Sequence, residues 1–183
     1  MKDDKPACVI EGRRLRLRNV RIEDATDIYA AWMNDPEVVR YTESRFTRHT
    51  LVSLRRFIET VIARPNALFL AIIVKPDGRH IGNIKLDAID SQHGTAEVGI
   101  IIGDKNYWGR GYGSEAIDLL ASYAFGALGL RKLTAGIYVN NADSIRSFER
   151  AGFVVEAVLK DHCISDGKTV DVLRIGRWHE ATP

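Results

Sequence analysis

The sequence predicts an α+β fold in which helices flank a mixed, mostly antiparallel central sheet. Three observations support this class. The middle of the chain holds three apolar runs separated by turn residues, which is typical of an antiparallel meander. A glycine cluster then opens a long amphipathic run that leads to a further strand, which is typical of a helical crossover between parallel strands. The chain closes on two strand-like runs around the turn sequence SDGK, so the predicted order is β-α-α-β-β-β-α-β-α-β-β.

The first third of the chain predicts one strand and two helices. Residues 12–18 alternate charged residues with leucine, as expected of a strand with one solvated face. Residues 23–34 have helical period and stop before Pro36, which disfavours helix in the residue that precedes it. Residues 37–50 predict a loop with one helical turn, and residues 51–63 predict the second helix. The apolar side of the first helix is expected to carry Ile28, Ala31 and Trp32.

The remaining elements follow from apolar period and turn residues. Pro76, Asp77 and Gly78 form the turn of the first hairpin, and Gly152 is expected to end the last helix as a C-terminal cap. The predicted strands cover residues 67–75, 80–90, 95–102, 132–139, 153–161 and 168–177. The predicted helices cover residues 114–128 and 142–151.

Length and composition limit the classes to which the protein can belong. The 183 residues predict one domain, over residues 8–180, after a charged tail of residues 1–7 that lacks the apolar core of a signal peptide. The net charge of +2 is too small to indicate a nucleic-acid partner. No run approaches the roughly 20 apolar residues that cross a bilayer, so no membrane partner is expected. Cys8 and Cys163 have no metal-binding spacing, which predicts reduced thiols, a cytoplasmic protein and no metal.

The most informative stretch is YWGRGYGSEAIDLLASYAF, residues 107–125. Gly109, Gly111 and Gly113 come directly before a helix, whose first N–H groups lack intrahelical partners and carry positive potential. Glycines at such a position let the backbone approach an anion, so the stretch predicts a phosphate site, to which Arg110 adds positive charge. The alternative is a tight turn that needs positive φ angles.

Two common phosphate motifs do not fit this stretch. A P-loop requires GxxxxGK[ST], and no lysine follows the cluster. A dinucleotide fold requires GxGxxG and a later acidic residue, whereas GRGYGSEA lacks the third glycine of that pattern and Arg131 and Lys132 occupy the later region.

This stretch, together with LTAGIYVNNADSIRSFERAGF, resembles the GCN5-related N-acetyltransferases (GNAT), and within them the RimJ/RimL-type branch of ribosomal-protein N-terminal acetyltransferases. The resemblance covers about residues 10–178. It implies a GNAT-like fold, an N-acetyltransferase domain over residues 8–180 and acetyl-CoA as the cofactor. The family signature [QR]-x-x-G-x-[GA] falls on residues 108–113, with Trp108 in place of the usual Gln or Arg. The residues that this implies for the acetyl-CoA pyrophosphate are Trp108, Gly109, Arg110, Gly111, Tyr112, Gly113 and Ser114.

The resemblance also implies where the pantetheine arm binds. In the family, the fourth strand splays from the fifth and its free backbone groups grip pantetheine. AEVGIIIG occupies this strand, which implies Ile100, Ile101 and Ile102 as cofactor-binding residues, although plain core packing is compatible with the same pattern. Asn141 is predicted from its position to cap the following helix, and the resemblance implies that its side chain also contacts pantetheine.

Acetyl transfer needs a neutral amine, a polarised thioester carbonyl and a proton for the leaving thiolate. An alkylammonium of pKa about 10.4 costs about 4 kcal/mol to neutralise near pH 7.5, whereas an α-amine of pKa about 8 costs under about 1 kcal/mol. A strong general base is therefore optional for an α-amine, and a backbone N–H of the splayed strand can polarise the carbonyl.

The general acid is the departure from the family pattern. Many relatives place a tyrosine five residues before the phenylalanine of GF, close to the CoA sulfur, and this chain has Phe148 at that cofactor-binding position. Ser144 matches the serine that serves in the resembled branch, and it alternatively acts only in the first turn of the helix. Glu97, on the cofactor strand, is the candidate base or water organiser, or alternatively a carboxylate that faces solvent.

The acceptor site is implied by the segment between the first two helices, which forms the acceptor wall in the family. Trp32, Tyr41 and Glu43 are therefore candidate substrate-binding residues, with core packing as the alternative for Trp32. Asp171 interrupts an apolar strand and either lines the acceptor cleft or faces water.

The predicted function is direct transfer of an acetyl group from acetyl-CoA to a primary amine, because no cysteine near the motif supports an acyl-enzyme. The acceptor is a small molecule or a peptide. A protein N-terminal α-amine, a nucleotide-linked amino sugar, and a polyamine or aminoglycoside all fit, and the near-neutral charge disfavours a polycation. A non-catalytic acyl-CoA-binding domain is the alternative of another class, supported only by Phe148. A homodimer is a family-level expectation.

Overall fold

The fold is built on one sheet of eight strands. The computed structural model describes residues 8–179, and the predicted tail over residues 1–7 and residue 180 lie outside the described residues. The strands are β1 (Val9–Glu11), β2 (Leu15–Asn19), β3 (Leu68–Val74), β4 (His80–Asp90), β5 (Thr95–Ile102), β6 (Lys132–Tyr138), β7 (Val154–Ser165) and β8 (Lys168–Trp178). The α-helices are α1 (Asp27–Asn34), α2 (Leu51–Ile62), α3 (Tyr112–Gly126) and α4 (Ala142–Arg150). Short 3-10 turns cover Ile22–Asp24, Glu43–Phe46 and Lys105–Tyr107.

The strand order confirms a mixed, mostly antiparallel sheet. The order across the sheet is β1-β2-β3-β4-β5-β6-β8-β7. Every neighbouring pair is antiparallel except β5 and β6, which run parallel and are joined through α3. A parallel pair needs a long crossover, and the glycine-led helix supplies it as predicted.

Helices cover the two faces of the sheet and bury a separate core on each side. The larger core packs α3 and α4 against the sheet, with Ile117 and Leu120 of α3 fully buried. The smaller core packs α1 and α2 on the opposite face, with Tyr29, Leu54 and Ile58 at its centre. Successive side chains of a strand point to opposite faces, so a residue on β5 or β6 is assigned to one face or the other by its neighbours.

The N-terminal region differs from its prediction in two ways. β1 is absent from the predicted order, because three residues are too few to show a period. The first helix begins later than predicted, because the Thr26 side chain accepts a hydrogen bond from the Tyr29 N–H at 3.3 Å and caps it. The buried side of α1 is formed by Tyr29, Trp32 and Met33, whereas Ile28 is 60% exposed. The expected apolar side was therefore rotated by about one residue.

The C-terminal hairpin has the predicted turn but a longer first strand. Ser165 pairs with Lys168, and Asp166 and Gly167 between them have φ angles of 51° and 75°. Positive φ at both central residues is the geometry that Asp-Gly favours in two-residue hairpins. β7 continues beyond residue 161 because a bulge between Leu159 and Cys163 interrupts the pattern without ending the strand.

Asp87 of β4 gives the fold a measurable dependence on pH. Burial alone would raise the pKa of Asp87, but hydrogen bonds from Lys85 and Arg64 outweigh it and hold this pKa at about 2. A carboxylate whose pKa is lower in the folded than in the unfolded protein stabilises the fold at pH values above its unfolded pKa, which is near 4. This contribution is lost as the pH falls towards 2. We expect Asp87→Asn to remove about 2 kcal/mol of pH-dependent stability between about pH 4 and pH 2. Urea unfolding of both proteins across this range measures the difference, and parallel pH profiles would contradict the prediction.

Candidate active site

The glycine turn before α3 has the backbone geometry that the sequence predicts. Gly109 and Gly111 have φ angles of 69° and 76°, and Gly111 is the N-cap of α3. A Cβ added at Gly109 would have no heavy atom within 4 Å, and one at Gly111 would meet only the Arg14 guanidinium at 3.6 Å. The turn therefore needs glycine for its conformation, and its outer side is open for a ligand to approach.

Gly113 differs from the other two glycines. It lies in the first turn of α3, and a Cβ there would lie 3.5 Å from the Ser147 hydroxyl of α4. Gly113 therefore lies in close contact with α4. The helix α3 begins at Tyr112, two residues before the predicted start. Ser114 follows in the same turn, and its buried hydroxyl has no hydrogen-bond partner in the structure.

A contact from the other end of the sheet fixes the glycine turn. Glu115 accepts hydrogen bonds from the Arg14 N–H at 2.8 Å and from the Arg14 side chain at 2.7 Å. Arg14 also donates to the Arg110 carbonyl at 2.9 Å, and its guanidinium lies 4.3 Å from the centre of the Tyr112 ring. These contacts place a cation beside the open turn while the Arg110 side chain stays exposed.

The parallel strands β5 and β6 splay apart after a short paired stretch. They pair at Thr95–Lys132, Ala96–Leu133 and Glu97–Thr134, and the described residues show no further pair between them. β5 nevertheless continues to Ile102, so its backbone faces a gap from Val98 onward. This is the splay that the resemblance implied for the strand holding Ile100, Ile101 and Ile102.

The three isoleucines point to alternate faces. Ile100 and Ile102 pack against the core of α3 and α4, and Ile101 packs against the core of α1 and α2. The Ile102 carbonyl accepts a hydrogen bond at 2.8 Å from the indole N–H of Trp108, which ties the end of β5 to the glycine turn. The glycine turn and the splayed strand are therefore joined directly by this hydrogen bond.

The start of α4 borders the gap on the side of the larger core. Asn141 is the N-cap, and its side chain accepts a hydrogen bond from the Ser144 N–H at 3.2 Å, as predicted. Ser144 is half-buried in the first turn. Phe148 is only 3% exposed, and its ring packs edge-on against Phe153 with centroids 5.0 Å apart.

Glu97 lies at the last paired position before the gap. Its carboxylate accepts a hydrogen bond from Arg174 at 2.9 Å, and the same guanidinium reaches Thr134 at 3.4 Å. Because Ala96 and Val98 belong to the larger core, the Glu97 side chain points to the face of α1 and α2.

The segment between α1 and α2 closes over the end of β6. The Tyr41 hydroxyl donates to the Asn140 carbonyl at 3.1 Å, and Arg45 donates to the Ile164 carbonyl at 2.8 Å. The Tyr138 hydroxyl lies between Glu43, to which it donates at 3.0 Å, and Arg45, which donates to it at 3.1 Å. Tyr41 and Glu43 thus both contact the end of β6, Tyr41 through Asn140 and Glu43 through Tyr138.

Trp32 and Asp171 have structural contacts of their own. Trp32 is buried in the smaller core, and a Cβ on Gly103 would come within 2.2 Å of its ring, so the indole covers the end of β5. The Asp171 carboxylate accepts hydrogen bonds from Lys160 at 2.7 Å and from the Asp161 N–H at 2.9 Å. It therefore stabilises the bulge of β7, where Asp161 has a positive φ angle.

A surface pocket of about 410 Å³ adjoins this wall, between the end of α1 and the β7–β8 turn. Val39, Phe46 and Ile164 contribute apolar surface, and Arg40 and Asp166 border it. Ser165 also lines the pocket, and its hydroxyl is buried without a hydrogen-bond partner. The pocket therefore combines apolar walls with one unsatisfied polar group.

Sequence reasoning missed Tyr138, Arg14 and Arg174. Burial and a hydrogen bond with Cys163 raise the pKa of Tyr138 to about 12, against the opposing effect of Arg45, so the hydroxyl keeps its proton at neutral pH. No local motif marks these residues, because each acts through a partner far away in the chain. Strand period was the one available signal, since it places Tyr138 on the face opposite Ile137.

The comparisons with known proteins agree with this geometry. The sequence matches the family model of the acetyltransferase (GNAT) domain over residues 14–154. It is 34% identical over 163 residues to the "Uncharacterized N-acetyltransferase p20" of Bacillus licheniformis, which covers 87% of this chain and 89% of that protein.

Two solved structures show the same fold. The ribosomal L7/L12 alpha-N-protein acetyltransferase RimL, in complex with coenzyme A, has a TM-score of 0.85 at 18% identity and covers 96% of this chain and 100% of that one. The spermidine N-acetyltransferase of Vibrio cholerae, in complex with CoA and spermine, has a TM-score of 0.80 at 23% identity and covers 90% of this chain and 95% of that one.

The chain therefore belongs to the GNAT acetyltransferase family, and it is an acetyl-CoA-dependent N-acetyltransferase. The residues fit this cofactor: the open glycine turn and the unsatisfied Ser114 hydroxyl would hold its phosphates, and the free edge of β5 would hold its pantetheine arm.

Two further features concern the described part of the chain. Within residues 8–179, no group of three or more His, Cys, Asp or Glu side chains is placed to hold a metal ion. No helix in the same residues is long and apolar enough to cross a membrane.

Proposed function

We propose that this enzyme acetylates the α-amine of a peptide or protein N-terminus, as the RimJ/RimL-type branch does. The observation that carries this proposal is the charge state of the acceptor wall. Three carboxylates that border the gap and its pocket each pair with a cation of the chain. The pairs are Arg45–Glu43 at 3.8 Å, Arg174–Glu97 at 2.9 Å and Arg40–Asp166 at 2.6 Å.

A polyamine would have to displace these cations to find carboxylates of its own. An α-amine avoids this requirement because it carries one charge and loses it at a cost of under about 1 kcal/mol near pH 7.5. The pocket of about 410 Å³ beside the wall supports an acceptor that continues beyond its amine, as a peptide does.

The experiment is thiol release from acetyl-CoA by the purified protein with a panel of amines. The panel holds a peptide with a free α-amine, the same peptide blocked at its N-terminus with its lysine free, spermidine, a UDP-linked amino sugar and an aminoglycoside. Turnover of the free peptide but not of the blocked one supports the proposal. Faster turnover of spermidine would assign the enzyme to polyamines, the substrate named for the Vibrio cholerae enzyme, and overturn it.

The proposal assigns proton donation to Ser144, since Phe148 has no hydroxyl and is buried. Ser144→Ala is expected to lower kcat about tenfold. This loss is smaller than the usual contribution of a general acid, about 100-fold or more, because water can replace the hydroxyl. The affinity for acetyl-CoA, measured by calorimetry, should stay the same. Ser147→Ala removes a hydroxyl from the same helix, one that donates to the Asp143 carbonyl, and serves as the control. Equal kcat values for Ser144→Ala and the wild type would remove Ser144 from the mechanism.

The remaining parts of the proposal come from the sequence. Residues 8–180 are proposed to form one N-acetyltransferase domain, and a cytoplasmic location agrees with the two free cysteines. A homodimer is proposed from the family alone, and size-exclusion chromatography with light scattering tests it.

A further inference from the structure

Tyr138 stands across the gap from the splayed strand. The last paired position joins Glu97 to Thr134, and four residues on from each lie Ile101 and Tyr138. Ile101 packs on the face of α1 and α2. Ala135 and Ile137 belong to the core on the other face, so the Tyr138 side chain also points to the α1 and α2 side. Tyr138 therefore borders the gap on the acceptor face, whereas Ser144 on α4 borders it on the opposite face.

The hydroxyl of Tyr138 is held in a defined orientation. It donates to Glu43 at 3.0 Å and accepts from Arg45 at 3.1 Å, and Arg45 lies 3.8 Å from the same Glu43 oxygen. A hydroxyl oxygen has two acceptor positions: Arg45 occupies one, and at the other the N–H of an amine in the gap would replace the hydrogen bond with Cys163. The Glu43 side chain is 78% exposed, which gives the far end of this pair direct contact with water.

We propose that Tyr138 and Glu43 form the path by which the acceptor amine loses its proton, an assignment that rests on the proposed function. The amine nitrogen bonds to the thioester carbonyl carbon, and the C–S bond breaks with its electron pair going to sulfur. One proton of the positively charged nitrogen passes to the Tyr138 oxygen while the Tyr138 proton passes to Glu43. Glu43 then releases that proton to water, and the thiolate takes up a proton on the α4 side, so charge and atoms balance.

This assignment separates the two proton transfers by the sheet. The amine is deprotonated on the face of α1 and α2, and the thiolate is protonated on the face of α4. Arg45 is a positioning residue here, because it holds both Tyr138 and Glu43 without reaching the amine. Glu97 is left in its pair with Arg174 and takes no part in the transfer.

The test is a double-mutant cycle on kcat/KM for the peptide acceptor, with Tyr138→Phe, Glu43→Gln and the double variant. We expect each single variant to lose about 30-fold, and the double variant to lose about the same, because two groups on one path do not add. The dissociation constant for acetyl-CoA and the melting temperature should stay near the wild-type values. Tyr123→Phe removes a hydroxyl from α3 that contacts Cys8 on the other face, and it is the matched control.

The outcomes separate this inference from the proposed function. If the wild type acetylates the peptide and Tyr138→Phe has the same kcat/KM, the inference is overturned and the proposed function stands. Losses that multiply in the double variant also overturn it, since they would show two independent roles. A wild-type enzyme that acetylates no α-amine overturns the proposed function and the inference together.

Discussion

Replacing Gly111 by valine is expected to weaken acetyl-CoA binding at least about 100-fold, equivalent to about 2.7 kcal/mol. Gly111 has a φ angle of 76° and caps α3, and this left-handed conformation is strained for a β-branched residue. The new side chain would also stand beside the Arg14 guanidinium, where we propose that the backbone approaches the pyrophosphate. Calorimetric titration with acetyl-CoA measures the change in affinity.

Gly129 provides the control for backbone strain. It follows the other end of α3, has a φ angle of 64° and has no heavy atom within 4 Å of an added Cβ. Gly129→Val therefore introduces a comparable strain without approaching the glycine turn, and its affinity for acetyl-CoA should equal that of the wild type. Undiminished binding by Gly111→Val, or an equal loss in both variants, would show that the turn does not bind the phosphates.

Replacing Phe148 by alanine is expected to lower the free energy of unfolding by about 4 kcal/mol. The ring is 3% exposed and packs against Phe153, which is 2% exposed. The Phe153 N–H donates to the Phe148 carbonyl at 3.0 Å, and Gly152 between them has a φ angle of 79°. This is a Schellman cap, in which the apolar contact and the end of the helix support each other. A cavity here would loosen both, and differential scanning calorimetry should show a melting temperature lower by about 10 °C.

Phe46 is the matched site for this measurement, because its ring is 67% exposed. Phe46→Ala should change the melting temperature by less than about 2 °C, because the exposed ring buries little apolar surface. If both variants lost the same stability, the burial of Phe148 would not explain its effect.

The fold could be predicted from the sequence where the signal is local. Ile117, Leu120 and Ala124 repeat at helical spacing, and all three are buried in α3. The Asp-Gly pair at residues 166 and 167 fixes the last hairpin through its backbone preference. The errors occur where a tertiary contact chooses between equal local patterns, as in α1. There Ile28 and Tyr29 fit a helical period equally well, and the packed core selects Tyr29.

In the candidate site, too, local features could be predicted from the sequence and tertiary contacts could not. The glycine turn and the cap at Asn141 are backbone features, and residue type at each position suffices to predict them. Three residues of the site could not be predicted, because their partners lie far away in the chain and meet them only in the folded structure. The separations are 101 residues for Arg14, 95 for Tyr138 and 77 for Arg174. The direction in which strand side chains point could be predicted, but not the partners they meet.

The bulge in β7 has a consequence for the behaviour of the protein at high concentration. β7 is the last strand of the sheet, and Val154, Val155 and Val158 on it are about half exposed. A flat, apolar edge of this length would be a template on which further chains could stack and precipitate. The register shifts at Val155–Ala157 and Leu159–Cys163, with Asp161 in a left-handed conformation between the strand's halves, break that template into short pieces. The contacts of Asp171 with Lys160 and with the Asp161 N–H hold the bulge in place, so we expect this edge to resist edge-to-edge pairing.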